Sequence, residues 1–335
     1  MAFTRKQLIT IVIVGIFSAL FFRTDPALKN TLPSLRVQPS DTYTLDFYPG
    51  GHFLELPQGT MRYWLFGNPD GERVILVHGI SSGAVTYDKL ARHLADNGYY
   101  VLVFDLWGRG YSDAPPGYYD ESMYTTQLVL LLQKVGWQRA NVVGVSLGGG
   151  IATSFTAFYP EIVNKLVLIA PAGLMDSEKD LPLYGKLLKL SMVRSLTQQS
   201  WFKWVAHKGV AHFFKNSRTQ ESRISPDFNR LATAVFSQFQ GHSGFFRAFL
   251  STVMDYPLDD LHERYQKIGQ ENPTLPVLVI WGDQDKTVPF RHAPRLQQYI
   301  PQSQLLRFDG AGHDVLITRY EAVDRAISEF LRDSK

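Results

Sequence analysis

The chain is 335 residues long, 45% hydrophobic and 19% charged, an ordinary globular composition with room for one large domain plus an insertion, or for two domains. A net charge of +3 gives no ground for a nucleic-acid partner, and the lack of any cysteine excludes disulfides, thiolate metal sites and a cysteine nucleophile. A mean hydropathy of −0.11 excludes a polytopic membrane protein.

The first element is an uncharged apolar run, residues 8–22, behind Arg5 and Lys6. As a helix it is about 22 Å long against roughly 30 Å of hydrocarbon, so it needs a thin bilayer, flanking help or a shallow interfacial pose. Phe17 stands where a signal-peptide cut after Ala19 requires a small residue. Residues 1–23 therefore read as a retained membrane anchor, with a cleaved signal peptide or a buried helix as the alternatives. Arg23 and Lys29 behind the run offset the basic pair before it, so the charge bias that sets orientation nearly cancels. Residues 24–40, with Pro26, Pro33 and Pro39, read as a linker.

Three short strands are expected at 43–48, 52–56 and 61–66, separated by the turns Pro49-Gly50-Gly51 and Pro57-Gln58-Gly59. Residues 73–77, continuously apolar from Val74 on, read as a strand buried on both faces. A helix is expected at 87–96, with Tyr87, Leu90, Ala91 and Leu94 at helical spacing and Gly98 as its stop. The alternation repeats as strand 100–104, helix 122–135, strand 141–145, helix 149–158 and strand 165–170. Such a rhythm predicts an α/β fold built on a mostly parallel, doubly wound sheet with its site at the carboxyl ends of the strands. From Pro171 to Pro273 the rhythm breaks into amphipathic segments at 183–190, 202–214, 231–239 and 245–254. Strands return at 276–281 and 304–308, followed by a helix at 319–331. The expected division is core 41–171, helical cap 172–273 and core 274–335.

Chemistry enters at Gly144-Val145-Ser146-Leu147-Gly148, between an apolar strand and a helix. At such a junction the turn is tight enough to demand glycine on both flanks, and it holds the serine hydroxyl out above the sheet. A serine hydroxyl is a weak nucleophile at neutral pH and needs a base, itself oriented by a carboxylate. Two later loops can supply them: Gly282-Asp283-Gln284-Asp285 after strand 276–281, and Asp309-Gly310-Ala311-Gly312-His313 after strand 304–308. His313 lies 28 positions beyond Asp285, room for one helix and one strand. Ser146 as a mere helix cap, Asp283 or Asp176 as the acid, and His313 as a solvated loop residue are the bland alternatives.

Four blocks in this order resemble the α/β-hydrolase superfamily over nearly the whole chain after residue 23: His78-Gly79, Asp105-Leu106-Trp107-Gly108-Arg109-Gly110-Tyr111-Ser112, Gly144 to Gly148, and Trp281 to Pro289 with Gly310 to His313. The resemblance implies Ser146 as nucleophile, His313 as base and Asp285 as orienting acid, because the family's Gly-x-x-Asp pattern ends on Asp285. It implies oxyanion donors from the N–H groups of Leu147 and Ile80, with His78, Gly79, Gly144 and Gly148 as supporting motif residues. It implies no metal and no organic cofactor. Asp105 and Arg109 read as loop supports. His207, His212 and His242 lack metal-ligand spacing and read as surface or packing residues.

The cap carries Trp201, Phe202, Trp204, Phe213, Phe214, Phe236, Phe239, Phe245, Phe246 and Phe249 with basic residues between them. These aromatics are either cap core or the wall of an acyl-chain tunnel or membrane-facing entrance, and the basic residues either a solvated face or a surface resting on anionic lipid. The single anchor, the length, the triad and Ala170-Pro171-Ala172-Gly173 resemble membrane-anchored monoacylglycerol-lipase-like hydrolases. That implies a lipid or other small ester as substrate and a membrane location. A carbon–carbon bond hydrolase and a non-catalytic binding protein of the same fold are the competing readings. An acyltransferase of this fold often carries His-x-x-x-x-Asp, and here Thr318 stands five positions after His313.

Overall fold

The structure, a computed structural model, describes residues 29–333 apart from 38, 177 and 181–225. The apolar run 8–22, the cap segments 183–190 and 202–214, and His207 and His212 lie outside the described residues. Among the described residues no helix is long and apolar enough to cross a membrane.

Eight strands form one sheet: β1 (His52–Leu56), β2 (Gly59–Phe66), β3 (Arg73–Val77), β4 (Tyr100–Phe104), β5 (Ala140–Val145), β6 (Val163–Ile169), β7 (Val277–Gly282) and β8 (Ser303–Phe308). Their spatial order is β1-β2-β4-β3-β5-β6-β7-β8. The first two form an antiparallel hairpin, β2 also pairs antiparallel with β4, and every later pairing is parallel.

The strands alternate between two apolar layers, as their period of two requires. Ile75, Val77, Val142, Leu168, Val277 and Val279 face one core. Helices α2 (Glu121–Val135) and α3 (Leu147–Phe158) cover it with Leu128, Leu131, Ile151 and Phe155. Val74, Leu76, Val143, Val167, Leu278 and Ile280 face the other. There α1 (Asp88–Asp96) contributes Leu90 and Leu94, and the C-terminal helix contributes Val323, Ile327 and Leu331. Burying one such side chain stabilises the fold by about 1.5–3 kcal/mol. Local signals set the helix ends: the Asp120 carboxylate caps α2 by accepting the Met123 N–H, and Gly136, at φ 70°, closes it in the left-handed region.

The remaining helices are α4 (Pro226–Gly241), α5 (Phe245–Asp255), α6 (His262–Glu271), α7 (Ala293–Tyr299), α8 (Val315–Thr318) and α9 (Tyr320–Arg332). In the span read as cap, α6 packs on α3 and α7, with Tyr265 donating to the Ala172 carbonyl at 2.8 Å. The described part of the linker is docked: Leu32 pairs with Ala114, and Leu35 is fully buried. The strand expected at 43–48 is absent; Leu45–Phe47 is instead a 3-10 turn. Its aromatics, Tyr43, Phe47 and Tyr48, make side-chain contacts rather than a ladder. Tyr43 packs on Phe47 and Tyr111, while the Tyr48 carbonyl accepts the Trp64 indole N–H at 2.8 Å. Tertiary packing has overridden β propensity.

Asp324 on α9 is an exception to the rule that buried polar groups are paired. It is 4% exposed, and its Oδ1 has no partner among the described residues. Burial pushes its pKa up to about 7 from 3.8, against the pull of Lys89. The folded state therefore holds this proton more tightly than the unfolded chain, and the associated stability is lost as pH rises from about 4 to about 7. Asp324→Asn, which keeps the shape without the charge, is expected to melt a few degrees above wild type at pH 8. Calorimetry at pH 5 and pH 8 checks this: the gap should shrink at pH 5, and a pH-independent gap would contradict it.

Candidate active site

Ser146 occupies the single-residue junction between β5 and α3, at φ 55° and ψ −120°. A side chain on either flanking glycine would collide with backbone. A Cβ at Gly144 would lie 2.2 Å from the Gly148 carbonyl oxygen, and one at Gly148 would lie 1.9 Å from that of Val77. The turn is tied down on both sides. The Ser146 N–H donates to Ile169 at 2.9 Å, while its carbonyl accepts from Gly149, Gly150 and Ala172. The hydroxyl thus stands at the N-terminus of a twelve-residue helix, where the dipole favours negative charge.

The loops after β7 and β8 bring two further groups to it. His313 Nε2 lies 3.0 Å from Ser146 Oγ, and His313 Nδ1 lies 2.8 Å from Asp285 Oδ2. The other Asp285 oxygen accepts the N–H groups of Thr287 and Val288 at 2.8 and 2.9 Å, so the carboxylate is fixed before the histidine meets it. An ionised carboxylate only accepts, so Nδ1 carries the proton it donates to Asp285. Nε2 is then left to accept from the serine hydroxyl. Asp283, two residues earlier, turns elsewhere: it accepts from Arg307 and from the Gly310 N–H, both at 2.8 Å, and braces the loop that carries His313. Asp176 accepts from the Glu178 N–H and pairs with Lys179 in its own turn.

On the other side of Ser146 lies the loop after β3. Gly79 is close enough that a Cβ there would sit 3.5 Å from Ser146 Cβ. Among the described residues, the N–H groups of Ile80 and Leu147 have no acceptor. His78 is fully buried; its Nδ1–H donates to the Gly79 carbonyl at 2.8 Å, and its Nε2 accepts the Leu106 N–H at 2.9 Å. In a trans peptide the carbonyl and the N–H point in opposite directions. The bond to the Gly79 oxygen therefore aims the Ile80 N–H away from His78. Burial lowers the His78 pKa to about 3, which keeps the ring neutral and able to play both roles.

Asp105 and Gln127 support the same loops. Asp105 accepts the N–H groups of Ala84 and Tyr111 at 2.8 and 2.9 Å, and burial raises its pKa to about 6 despite those bonds. Gln127, which the sequence reading passed over, accepts the Trp107 N–H and donates to the Asp105 carbonyl. A polar residue on the apolar face of α2 was the available signal. His242 is a packing residue: it is buried, bonds the Ser112 carbonyl and the Gly244 N–H, and burial lowers its pKa to about 4. Among the described residues no group of three His, Asp or Glu side chains could hold a metal ion. Over the Ile80 loop lies α5, whose Phe246, Phe249, Leu250, Val253 and Met254 form an apolar cluster with Ile80. Phe239, Phe245 and Phe249 make ring contacts with centroids 4.4 to 6.1 Å apart, the last two stacked and Phe239 tilted against both.

A hydroxyl, an imidazole and a carboxylate in line, beside two N–H groups without an acceptor among the described residues, can support nucleophilic acyl transfer. Comparison with known proteins finds relatives along most of the chain. Lipase 1 of Psychrobacter immobilis is 27% identical over 269 residues, 79% of this chain and 77% of that one. The 2-hydroxy-6-oxo-6-phenylhexa-2,4-dienoate hydrolase of Comamonas testosteroni is 26% identical over 270 residues, 78% of this chain and 88% of that one. The crystal structure of a bacterial membrane phospholipase A matches with a TM-score of 0.65 at 19% identity, covering 99% of this chain and 100% of that one, a likeness of fold. The model of the alpha/beta hydrolase fold family matches residues 72–320, most of the chain, and the chain belongs to that family.

Proposed function

We propose that the chain is a serine hydrolase that cleaves a carboxylic ester, most suitably of a lipid such as a monoacylglycerol, through an acyl-enzyme on Ser146. The observation that carries this reading is His313 bonded through its two nitrogens to Ser146 and Asp285. In the mechanism His313 Nε2 takes the hydroxyl proton as Ser146 Oγ bonds the ester carbonyl carbon. The resulting oxyanion is held by the N–H groups of Leu147 and Ile80. His313 then returns the proton to the departing alcohol. A water activated by the same nitrogen releases the carboxylic acid and regenerates the serine. Asp285 stays ionised and stabilises the imidazolium that forms in each half-reaction. No step calls for a metal or an organic cofactor.

The lipid part of the proposal is supported by the apolar wall that α5 builds over Ile80 and by the lipase among the relatives. On this reading residues 172–273 form the cap that selects the acyl chain, and residues 1–23 hold the enzyme at a membrane. Two measurements test it. The wild type should label with a fluorophosphonate probe, and failure to label beside a known serine hydrolase would sink the serine mechanism. Among p-nitrophenyl esters, kcat/KM should rise at least about tenfold from acetate to octanoate, since each buried methylene is worth about 0.8 kcal/mol. A preference for acetate would remove the lipid reading. Turnover of a dienoic diketo acid with none of an ester would favour the carbon–carbon bond hydrolase suggested by the Comamonas relative.

A further inference from the structure

Arg109 is fully buried, and among the described residues no carboxylate stands within ion-pair distance of it. A cation in that position carries a large desolvation cost unless its donors are met. Four bonds meet four of its five N–H groups: Nε donates to the Ile80 carbonyl at 3.1 Å, Nη1 to the Trp107 carbonyl at 2.9 Å and to Tyr124 Oη at 2.8 Å, and Nη2 to Thr252 Oγ1 at 2.9 Å. The chain of donors has one direction. Tyr124 Oη lies 2.6 Å from Thr252 Oγ1, which in turn donates to the Ala248 carbonyl at 2.7 Å. The rings of Tyr119 and Tyr124 lie 5.9 and 5.8 Å from the guanidinium carbon, within cation–π range.

These bonds bear on the Ile80 loop in a specific way. His78 fixes the peptide plane before Ile80 through the Gly79 carbonyl, and Arg109 fixes the plane after it through the Ile80 carbonyl. Both dihedrals of Ile80 are thereby held, and with them the direction of its N–H. The second anchor of the same guanidinium is Thr252, on α5, the helix whose Leu250 and Val253 pack on Ile80. We propose that Arg109 is a positioning residue that holds the Ile80 half of the oxyanion site and registers α5 against it through Thr252. The proposal rests on the serine-hydrolase reading above. The unneutralised charge adds to the effect, because it places positive potential behind the site where the oxyanion develops.

The test separates transition-state from ground-state interactions. Arg109→Lys and Arg109→Met are assayed for kcat and KM with p-nitrophenyl butyrate. Their affinity for an alkyl trifluoromethyl ketone, which adds to Ser146 as an oxyanion, is compared with that for the matching alkyl ether, which does not. Active sites are counted by fluorophosphonate titration. The expected result is a loss of ~10- to 100-fold in kcat per titrated site, an equal loss in ketone affinity, and KM and ether affinity within about twofold of wild type. A merely structural arginine would reduce the number of titratable sites and leave kcat per site and the ketone-to-ether ratio unchanged, which would overturn the proposal. If the Arg109 variants do not fold, Thr252→Val removes a single acceptor. It should show the same pattern at ~3- to 10-fold, and an unchanged ketone-to-ether ratio there would equally overturn it. A wild type that forms no ketone adduct and takes no phosphonate would remove the serine-hydrolase reading and this proposal together.

Discussion

Ser146→Ala is expected to lower kcat toward a p-nitrophenyl ester by about 10⁶-fold while leaving the protein folded, because the residue supplies the bond-forming atom and almost no packing. A second substitution makes the experiment more demanding. Ser146 holds a backbone conformation, φ 55° and ψ −120°, that a Cβ resists, at a cost on the order of 1–3 kcal/mol. Ser146→Gly should therefore be as inactive as Ser146→Ala and yet melt above it. A difference of about 1–2 kcal/mol corresponds to a few degrees for a domain of this size. The elbow would then be a place where stability is given up to project a nucleophile. Equal melting temperatures would mean the turn is unstrained, and substantial residual activity in either variant would mean that another group attacks the ester.

The readability of that site from sequence follows from what each part depends on. The elbow is legible because its constraints are local: two glycines are needed where backbone atoms come within 2.2 Å of a missing Cβ. The loops ending in Asp285 and His313 are legible because each directly follows a strand, the continuously apolar β7 and then β8 with Leu305, Leu306 and Phe308. The Arg109 network is not legible. Its partner Thr252 is 143 positions away, and their approach depends on how α5 settles over the sheet. Helix α6 is not legible for a different reason. Only Tyr265 and Ile268 of its ten residues are buried, so its apolar stripe is too narrow to stand out. The 43–48 stretch misleads in the opposite direction: alternating Tyr43, Leu45 and Phe47 imitate a strand, but Tyr43 packs on Tyr111 and Tyr48 on Trp64 rather than on a neighbouring ladder.

Two aspartates separated by a single residue offer the sharpest discrimination at this site. Asp285→Asn is expected to reduce kcat by about 10³- to 10⁴-fold. The asparagine carbonyl can still accept the Thr287 and Val288 N–H groups, which turns its amide N–H toward His313 Nδ1. The imidazole must then accept at Nδ1 and carry its proton on Nε2, where it donates toward Ser146 and cannot take the hydroxyl proton. Asp283→Asn should leave kcat within about threefold of wild type, since its partners are the half-exposed Arg307 and a loop N–H, and exposed pairs contribute about 0–1 kcal/mol. If the losses were reversed, Asp283 would be the orienting acid and the geometry of the His313 loop would have to differ from that described. The double variant Ser146→Ala/Asp285→Asn gives a further check: once the nucleophile is gone the carboxylate has no base to orient, so the second substitution should add little. Strictly additive losses would mean that Asp285 acts on the reaction by a route that bypasses His313 and Ser146.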